Sequence, residues 1–168
     1  YGQAYPKPLA RNREWMQIFR KIIERQEPVS FDGKHYQLPL DGGTGLGKPL
    51  KLMQHPLRES IPVYLGAEGP KNVAMAAEIC DGWIPMFLSP YRMHEQYADA
   101  MKIKSADFEI AAAVPVVIND DVDKARAAIK QNVGFYVGGM GAKTFNVHKD
   151  HVGRMGFGDA ADEIQNLF

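Results

Sequence analysis

Residues 65–72 read Leu-Gly-Ala-Glu-Gly-Pro-Lys-Asn, and they mark the point where a strand turns into a helix. The run from Ile61 to Ala67 is almost entirely apolar, as in a strand that is buried on both faces. Pro70 suits the first helical position, because its missing N–H would have no partner there. The free N–H groups of that first turn, the helix dipole and Lys71 favour an anion. The stretch therefore predicts a parallel βα unit with a candidate phosphate site.

The alternative interpretation of this corner is a plain strand-to-helix connection, which every α/β protein contains. Glu68 favours that alternative, because a carboxylate beside a phosphate repels it unless the side chain points away. Gly69 favours the phosphate site, because a residue without a side chain lets a ligand approach the backbone closely.

The same alternation of strand and helix continues along the chain. It predicts the following segments: helix Pro70–Cys80, strand Gly82–Leu88, helix Pro90–Met101, strand Phe108–Ile118 and helix Asp121–Gln131. Such an order is typical of parallel βα units. Pro85 and Pro115 lie inside two of the strands, where a proline removes a ladder hydrogen bond, so the strand boundaries are the weakest part of the prediction.

The flanking regions carry other patterns. They predict a helix over Leu9–Gln26, a hairpin over Val29–Leu38, a long loop over Asp41–Pro49 and helices over Asn146–Arg154 and Asp159–Phe168. We expect one domain over residues 1–168, with an insertion region at about 28–60. A loop of this length is uncommon unless it has a function or lies against another surface.

Composition limits the function. The chain has 168 residues with 20 basic and 20 acidic side chains, so it lacks the positive charge that nucleic acid binding requires. No apolar run is long enough to span a membrane. The single cysteine, Cys80, excludes a disulfide framework and is interpreted as a packed thiol rather than a nucleophile. These features indicate a cytoplasmic globular protein.

A second candidate segment is Asp81–Ser89. In a parallel barrel the carboxyl ends of the strands line the active site, so Met86, Phe87 and Ser89 are expected at that mouth. An apolar floor with one hydroxyl suits a planar ring system. For Trp83 and Ile84, packing in the core is the preferred interpretation.

Basic residues cluster near the carboxyl terminus, at His148, Lys149, His151 and Arg154. A solvated helix face is the default interpretation, and contact with an anionic cofactor tail is the alternative. His148 and His151 could share a helix face, but no third ligand is evident, so no metal site is expected.

Residues 66–74 (GAEGPKNVA) and 78–85 (EICDGWIP) resemble the luciferase-like monooxygenase superfamily, most closely its branch of deazaflavin (coenzyme F420) dependent oxidoreductases. Residues 7–11, 31–50 and 138–141 agree with the same pattern. The resemblance implies an α/β fold that is part of a (β/α)8 TIM barrel, usually dimeric. A full barrel takes roughly 250 residues or more, so we expect the chain to be its C-terminal portion.

The resemblance also implies a cofactor site. In the family, the loop matching residues 66–70 helps to hold the cofactor phosphate through backbone N–H groups, and the strand end matching residues 86–89 lies nearby. The implied cofactor-binding residues are Gly66, Ala67, Glu68, Gly69, Pro70, Met86, Phe87 and Ser89. No catalytic residue is assigned, because much of the family's catalytic apparatus comes from the first half of the barrel. The family usually has a longer segment where Met101 to Asp107 stands here.

The expected activity is hydride transfer between 8-hydroxy-5-deazaflavin (coenzyme F420) and a small organic substrate, which would enter under the loop Asp41 to Leu50. The cofactor supplies the chemistry, and the protein supplies orientation and a dry pocket. An FMN-dependent monooxygenase of the same superfamily is the first alternative. A non-catalytic flavin-binding protein or structural barrel fragment is the second. A homodimer is expected, with no nucleic acid or membrane partner.

Overall fold

The predicted alternation of strands and helices is present in a computed structural model, which describes residues 4–142 and 144–168. The chain divides into two units, Tyr1–Val63 and Tyr64–Phe168. The expectation of one domain with an insertion at about 28–60 stays a prediction.

The first unit is built on one helix. Its elements are α1 (Pro8–Glu24), β1 (Phe31–Asp32) and β2 (Gln37–Leu38). The two strands pair antiparallel, which confirms the predicted hairpin, and Val29 pairs with Leu50 in an isolated bridge. Met16 and Ile18 are the buried residues of α1, whereas Trp15 is 49% exposed. The hairpin is too small to cover the whole apolar face that the periodicity of α1 predicts.

Glu14 of α1 holds the hairpin turn. Its Oε1 accepts from the N–H of Lys34 at 3.0 Å, and its Oε2 accepts from His35 and Tyr36 at 2.8 and 2.9 Å. Desolvation alone would raise the pKa of Glu14, but the three donors outweigh it, so the pKa is lowered. The carboxylate replaces the hydrogen bonds that a tighter two-residue turn would make within the backbone.

The second unit carries the parallel strands. Its strands are β3 (Tyr64–Gly66), β4 (Gly82–Ile84) and β5 (Glu109–Ile110). Its helices are α2 (Pro70–Ile79), α3 (Met93–Gln96), α4 (Ala98–Ile103), α5 (Val122–Gly134), α6 (Val147–Val152) and α7 (Gly158–Asn166). Two π-helical turns, Phe135–Gly139 and Gly153–Phe157, follow α5 and α6. Among the residues described, no helix combines the length and apolar character needed to cross a bilayer.

The sheet has the order β3-β4-β5, and both pairings are parallel. Tyr64 pairs with Gly82 at one end, and Gly66 pairs with Ile84 at the other. All three carboxyl ends therefore meet at one edge of the sheet. The buried core behind it comes from α2, β4, α4 and their connections: Ala67, Val73, Ala76, Ala77, Trp83, Tyr97, Ala100 and Phe108.

Several predicted elements differ from the structure in their bounds. The strand predicted over Ile61–Ala67 is limited to Tyr64–Gly66, and the one predicted over Gly82–Leu88 ends at Ile84, directly before Pro85, which has no ladder donor. The strand predicted over Phe108–Ile118 ends at Ile110, and Val114, Val116 and Ile118 are 75%, 77% and 95% exposed. In the described part of the chain no further strand pairs with this stretch, and Pro115 lacks a donor for a ladder. The helix predicted over Pro90–Met101 is broken at Tyr97, whose φ and ψ of −121° and 35° are not helical.

Side-chain caps set two helix starts. The Asp121 carboxylate accepts from the N–H groups of Asp123 and Lys124 at 3.0 and 3.2 Å, so Asp121 is the N-cap of α5. Asn146 caps α6 in the same way, and its amide also donates to the Val137 carbonyl at 2.9 Å. Asn146 thereby joins α6 to the first π-helical turn.

Replacing Glu14 with Gln leaves one acceptor oxygen where the hairpin turn uses two. A carboxylate whose pKa is lowered on folding stabilises the folded state above its unfolded pKa, and that contribution is lost as pH falls through the folded pKa. We expect E14Q to unfold at a lower midpoint urea concentration than the wild type at pH 7. This difference between the two midpoints should disappear below pH ~4, where the wild-type carboxylate is protonated. Amide exchange of residues 34–36 should accelerate. The control E27Q, at an exposed glutamate, should change neither the urea midpoint nor the amide exchange rates. Wild-type exchange rates for residues 34–36 in E14Q would contradict the role of Glu14.

Gly82 is required by the packing of the sheet. The Tyr64 hydroxyl reaches across Gly82 to donate a hydrogen bond to the Glu109 carboxylate. A Cβ at residue 82 would overlap the Tyr64 ring and would lie 2.9 Å from the Glu109 carbonyl oxygen. We expect G82A to lower the free energy of unfolding by roughly 1–3 kcal/mol, because the strands must separate. In the control G153A, a Cβ meets only the Gly158 Cα at 3.9 Å, so stability should hold. Urea denaturation measures the free energy of unfolding of both variants. Equal losses in G82A and G153A would contradict the close packing at Gly82.

Candidate functional site

A cavity of about 1180 Å³ opens at the carboxyl ends of the three strands. Its walls come from the connections after β3, β4 and β5, from one face of α5 and from α6 and the turn after it. They consist of Gly66, Ala67, Glu68, Gly69, Asn72, Ile84, Pro85, Met86, Phe87, Leu88, Ala113, Val114, Pro115, Val117, Ala128, Ile129, Asn132, Val133, Val147 and Arg154. The cavity is apolar over most of its wall, and its polar side chains come from the corner after β3 (Glu68 and Asn72), from α5 (Asn132) and from the turn after α6 (Arg154).

Six of the eight predicted cofactor-binding residues line this cavity: Gly66, Ala67, Glu68, Gly69, Met86 and Phe87. The other two, Pro70 and Ser89, are not among the lining residues. Pro70 is the exposed first residue of α2, and the Ser89 carbonyl accepts from the Arg92 N–H at 3.1 Å. The structure therefore brings together the two predicted segments, whereas their contact with a cofactor stays a prediction.

Two buried donors hold the corner after β3 from inside. The Trp83 Nε1–H donates to the Ala67 carbonyl at 2.7 Å, and the Tyr97 hydroxyl donates to the Glu68 carbonyl at 3.0 Å. Trp83 and Tyr97 are 0% and 1% exposed, and their rings meet edge to face with centroids 4.7 Å apart. Burial raises the pKa of Tyr97 to about 12, so the phenol keeps its proton at physiological pH.

The start of α2 leaves few N–H groups for a ligand. Those of Asn72 and Val73 donate to the Gly69 carbonyl at 2.9 and 3.0 Å, and Pro70 has none. The N–H groups of Gly69 and Lys71 are among those at this corner that suit an anion. Gly69 has φ −74° and ψ 140°, which any residue adopts. Its lack of a side chain therefore matters for space rather than for conformation.

The Glu68 side chain contacts α6. Its Oε1 lies 2.6 Å from His148 Nδ1, and the two side chains are 15% and 18% exposed. The carboxylate therefore has a partner on α6, while Glu68 also lines the cavity. The other oxygen, Oε2, is buried without a hydrogen-bond partner among the described residues. His148 was assigned to a solvated basic face, and sequence alone gives no sign of this pairing across 80 residues.

The predicted basic cluster is divided among different environments. Lys149 pairs with Asp162 at 2.6 Å on the outside of α6 and α7, and His151 is fully buried. Arg154 is the member of the cluster that lines the cavity. One cationic side chain, rather than four, is therefore available to an anionic ligand from this segment.

Trp83 and Ile84 of β4, both interpreted from the sequence as core residues, differ in burial. Trp83 is fully buried, as predicted, whereas Ile84 is 47% exposed and lines the cavity. Cys80 is a half-buried thiol at the end of α2 and forms no disulfide. Within residues 4–142 and 144–168, no group of three or more His, Cys, Asp or Glu side chains is placed to hold a metal ion.

The Glu68–His148 pair can be tested by a double-mutant cycle. Because both side chains are largely buried, we expect E68A and H148A to couple by at least about 1 kcal/mol in the free energy of unfolding. The control cycle uses Asp123 and Arg126, whose side chains are 92% and 71% exposed at 3.6 Å, and should give below about 0.5 kcal/mol. Chemical denaturation of the wild type, the four single variants and the two double variants gives the free energies of unfolding. Equal coupling energies in the two cycles would show that the Glu68–His148 pair contributes no more than an exposed ion pair.

Known proteins resemble this chain over its whole length. A Mycobacterium tuberculosis protein, whose name proposes a coenzyme F420-dependent oxidoreductase, is 51% identical over 178 aligned positions, covering 100% of this chain and 51% of the relative. The 5,10-methylenetetrahydromethanopterin reductase of Archaeoglobus fulgidus is 33% identical over 145 positions, covering 82% of this chain and 40% of the relative. The chain thus spans about half the length of the curated relatives that it matches.

The fold has solved counterparts as well. The coenzyme F420 dependent tetrahydromethanopterin reductase of Methanopyrus kandleri superposes with a TM-score of 0.63 at 23% identity, over 94% of this chain and 49% of that one. At this identity the likeness concerns the α/β fold alone. The Luciferase-like monooxygenase family matches residues 1–167, nearly the entire sequence. The chain therefore belongs to the luciferase-like monooxygenase family.

Proposed function

We propose that this chain forms the cofactor-phosphate side of a coenzyme F420-dependent oxidoreductase that transfers hydride to or from a small organic substrate. The observation that carries the proposal is the cavity at the carboxyl ends of β3 and β4, which joins the two segments predicted to bind the cofactor. The name of the Mycobacterium tuberculosis relative gives the same cofactor and reaction class, and the Archaeoglobus fulgidus relative is named as a reductase.

The cavity suits a planar ring joined to an anionic tail. Its volume of about 1180 Å³ slightly exceeds the usual range of ligand sites, which is roughly 300–1000 Å³. Ile84, Met86 and Phe87 offer apolar contacts, and the start of α2 offers N–H donors. At Gly66, a Cβ would have no atom within 4 Å, so the space above this residue is open to a ligand.

The residues of this chain bind and orient rather than react. When bound, the deazaflavin supplies hydride chemistry. The Gly69 and Lys71 N–H groups would hold a phosphate, and Arg154 would add a positive charge from the facing wall. The apolar side chains after β4 would exclude water from the ring. No catalytic residue is assigned in this chain, and the substrate would approach from the part of the protein that completes the site.

The finer architecture belongs to the same proposal. We take the parallel sheet to be part of a (β/α)8 barrel, with further strands beside β3 and beyond β5. In support, the stretch after β5 carries apolar side chains that are strongly exposed, as expected of a segment that needs a neighbouring strand. In the completed barrel the cavity would face the catalytic residues. We further propose a homodimer, as the family resemblance implies.

Cofactor choice is decided by direct titration of the full-length protein. We expect coenzyme F420 to bind, with its fluorescence changing to saturation, and FMN to bind at least about tenfold more weakly. FMN as the preferred ligand would establish the monooxygenase alternative instead. Binding of neither cofactor would overturn the proposal in favour of a non-catalytic protein.

Gly69 provides a test that separates binding from folding. In G69A the new Cβ meets only Asn72 Nδ2, at 3.8 Å, and the φ of −74° suits alanine, so thermal stability should hold. The methyl group intrudes where a ligand meets the helix start, and we expect the Kd for coenzyme F420 to rise about tenfold, or ~1.4 kcal/mol.

The matched control for this test is G158A, at a glycine outside the cavity with open space around its Cβ position. G158A should bind coenzyme F420 as the wild type does. Wild-type affinity in G69A would place the phosphate away from this corner.

A further inference from the structure

His151 is a fully buried polar side chain on α6 that does not line the cavity. Its Nε2 lies 2.9 Å from the Phe87 carbonyl oxygen, and its Nδ1 lies 3.3 Å from Gln96 Nε2 and 3.4 Å from the Tyr97 hydroxyl. A carbonyl oxygen only accepts, so Nε2 must carry the proton. Nδ1 is then the acceptor, and the Gln96 amide is its donor.

Tyr97 packs against His151 on the side of the connection after β3. Its hydroxyl proton is donated to the Glu68 carbonyl, so the phenol oxygen 3.4 Å from Nδ1 is in contact with the imidazole without a proton between the two atoms. The imidazole and the phenol therefore stand in contact between the Phe87 carbonyl and the Glu68 carbonyl. Phe87 and Glu68 belong to the connections after β4 and β3, and both line the cavity.

We propose that His151 is a positioning residue, whose neutral ring fixes the spacing between the two connections that hold the cofactor. This inference rests on the proposed function. His151 would act through Phe87 and Tyr97 and would not touch the ligand. The solvated helix face expected for this histidine, and the alternative of contact with an anion, are replaced by a buried neutral side chain behind the cavity wall.

Several charged and titratable groups face this ring. Desolvation lowers the pKa of His151, the bond to the Phe87 carbonyl and the charge of Glu68 raise it, and Arg154 and His148 lower it; the net shift is downward. The neighbouring Tyr97 stays protonated. A second proton on the imidazole would set a donor at Nδ1 against the Gln96 amide, so the network requires the neutral Nε2–H tautomer.

The first test uses the imidazole nitrogens of the wild-type protein. Nitrogen-15 NMR at neutral pH should show His151 as the Nε2–H tautomer, assigned by the loss of its signals in H151Q. The Nδ1–H tautomer or a doubly protonated ring would overturn the proposal. The first form cannot donate to the Phe87 carbonyl from Nε2, and the second cannot accept from the Gln96 amide at Nδ1. This readout needs neither cofactor nor activity.

The second test compares two replacements in the full-length protein. Gln can still donate to the Phe87 carbonyl, whereas Leu fills the space and donates nothing. We expect H151L to raise the Kd for coenzyme F420 about tenfold, and H151Q to stay within about threefold of the wild type. The control is H94L, at an exposed histidine of α3, which should bind as the wild type does.

The outcomes separate the two levels of the argument. If the wild type binds the cofactor and H151L binds it equally well, His151 is only a packing residue and the inference fails while the proposed function stands. The inference also fails if H151Q, with an unchanged melting temperature, loses as much affinity as H151L, because the hydrogen bond to the Phe87 carbonyl would then not support binding. If H151L does not fold, the affinity of H151Q and the tautomer of the wild type decide whether the positioning role of His151 holds. Failure of the wild type to bind would overturn both proposals.

Discussion

The carbonyl groups of Ala67 and Glu68 point inward onto two buried donors, the Trp83 indole and the Tyr97 phenol, and the cavity depends on this pairing. A buried carbonyl without a partner costs roughly 1–3 kcal/mol, so the corner cannot turn over without losing both bonds. Its conformation determines where α2 begins and where the N–H groups of Gly69 and Lys71 lie. The helix start is thus set by the core beneath it and not by the loop itself.

The two ends of the parallel sheet carry different constraints. At the amino end, Tyr64 crosses Gly82 to reach Glu109, so the strands are locked by close packing. At the carboxyl end, Gly66 pairs with Ile84 and the space above them is open. Parallel pairing places every strand-to-helix connection at that open end. Stability and ligand binding can therefore be altered separately in this fold.

Sequence predicted the features that arise from neighbouring residues. Pro70 at a helix start and Asp121 at an N-cap follow from local backbone chemistry, and the apolar runs located β3 and β4. The length of β5 could not be predicted, because a strand needs a partner that the local pattern does not reveal. The pairings of His148 with Glu68 and of His151 with Phe87 span 80 and 64 residues. Such contacts are set by the packing of α6, for which the sequence carries only a weak helical pattern.

Glu68 shows how the surroundings decide what a residue contributes to an anion site. A free carboxylate at this corner would cancel the favourable field of the helix start. With Oε1 held 2.6 Å from His148, the carboxylate is not free but is paired with a side chain of α6. The helix dipole, Lys71 and Arg154 favour an anion at this corner. The acidic residue that counts against phosphate binding in the sequence therefore has a hydrogen-bond partner in the folded protein, and that partner comes from a helix 80 residues further along the chain.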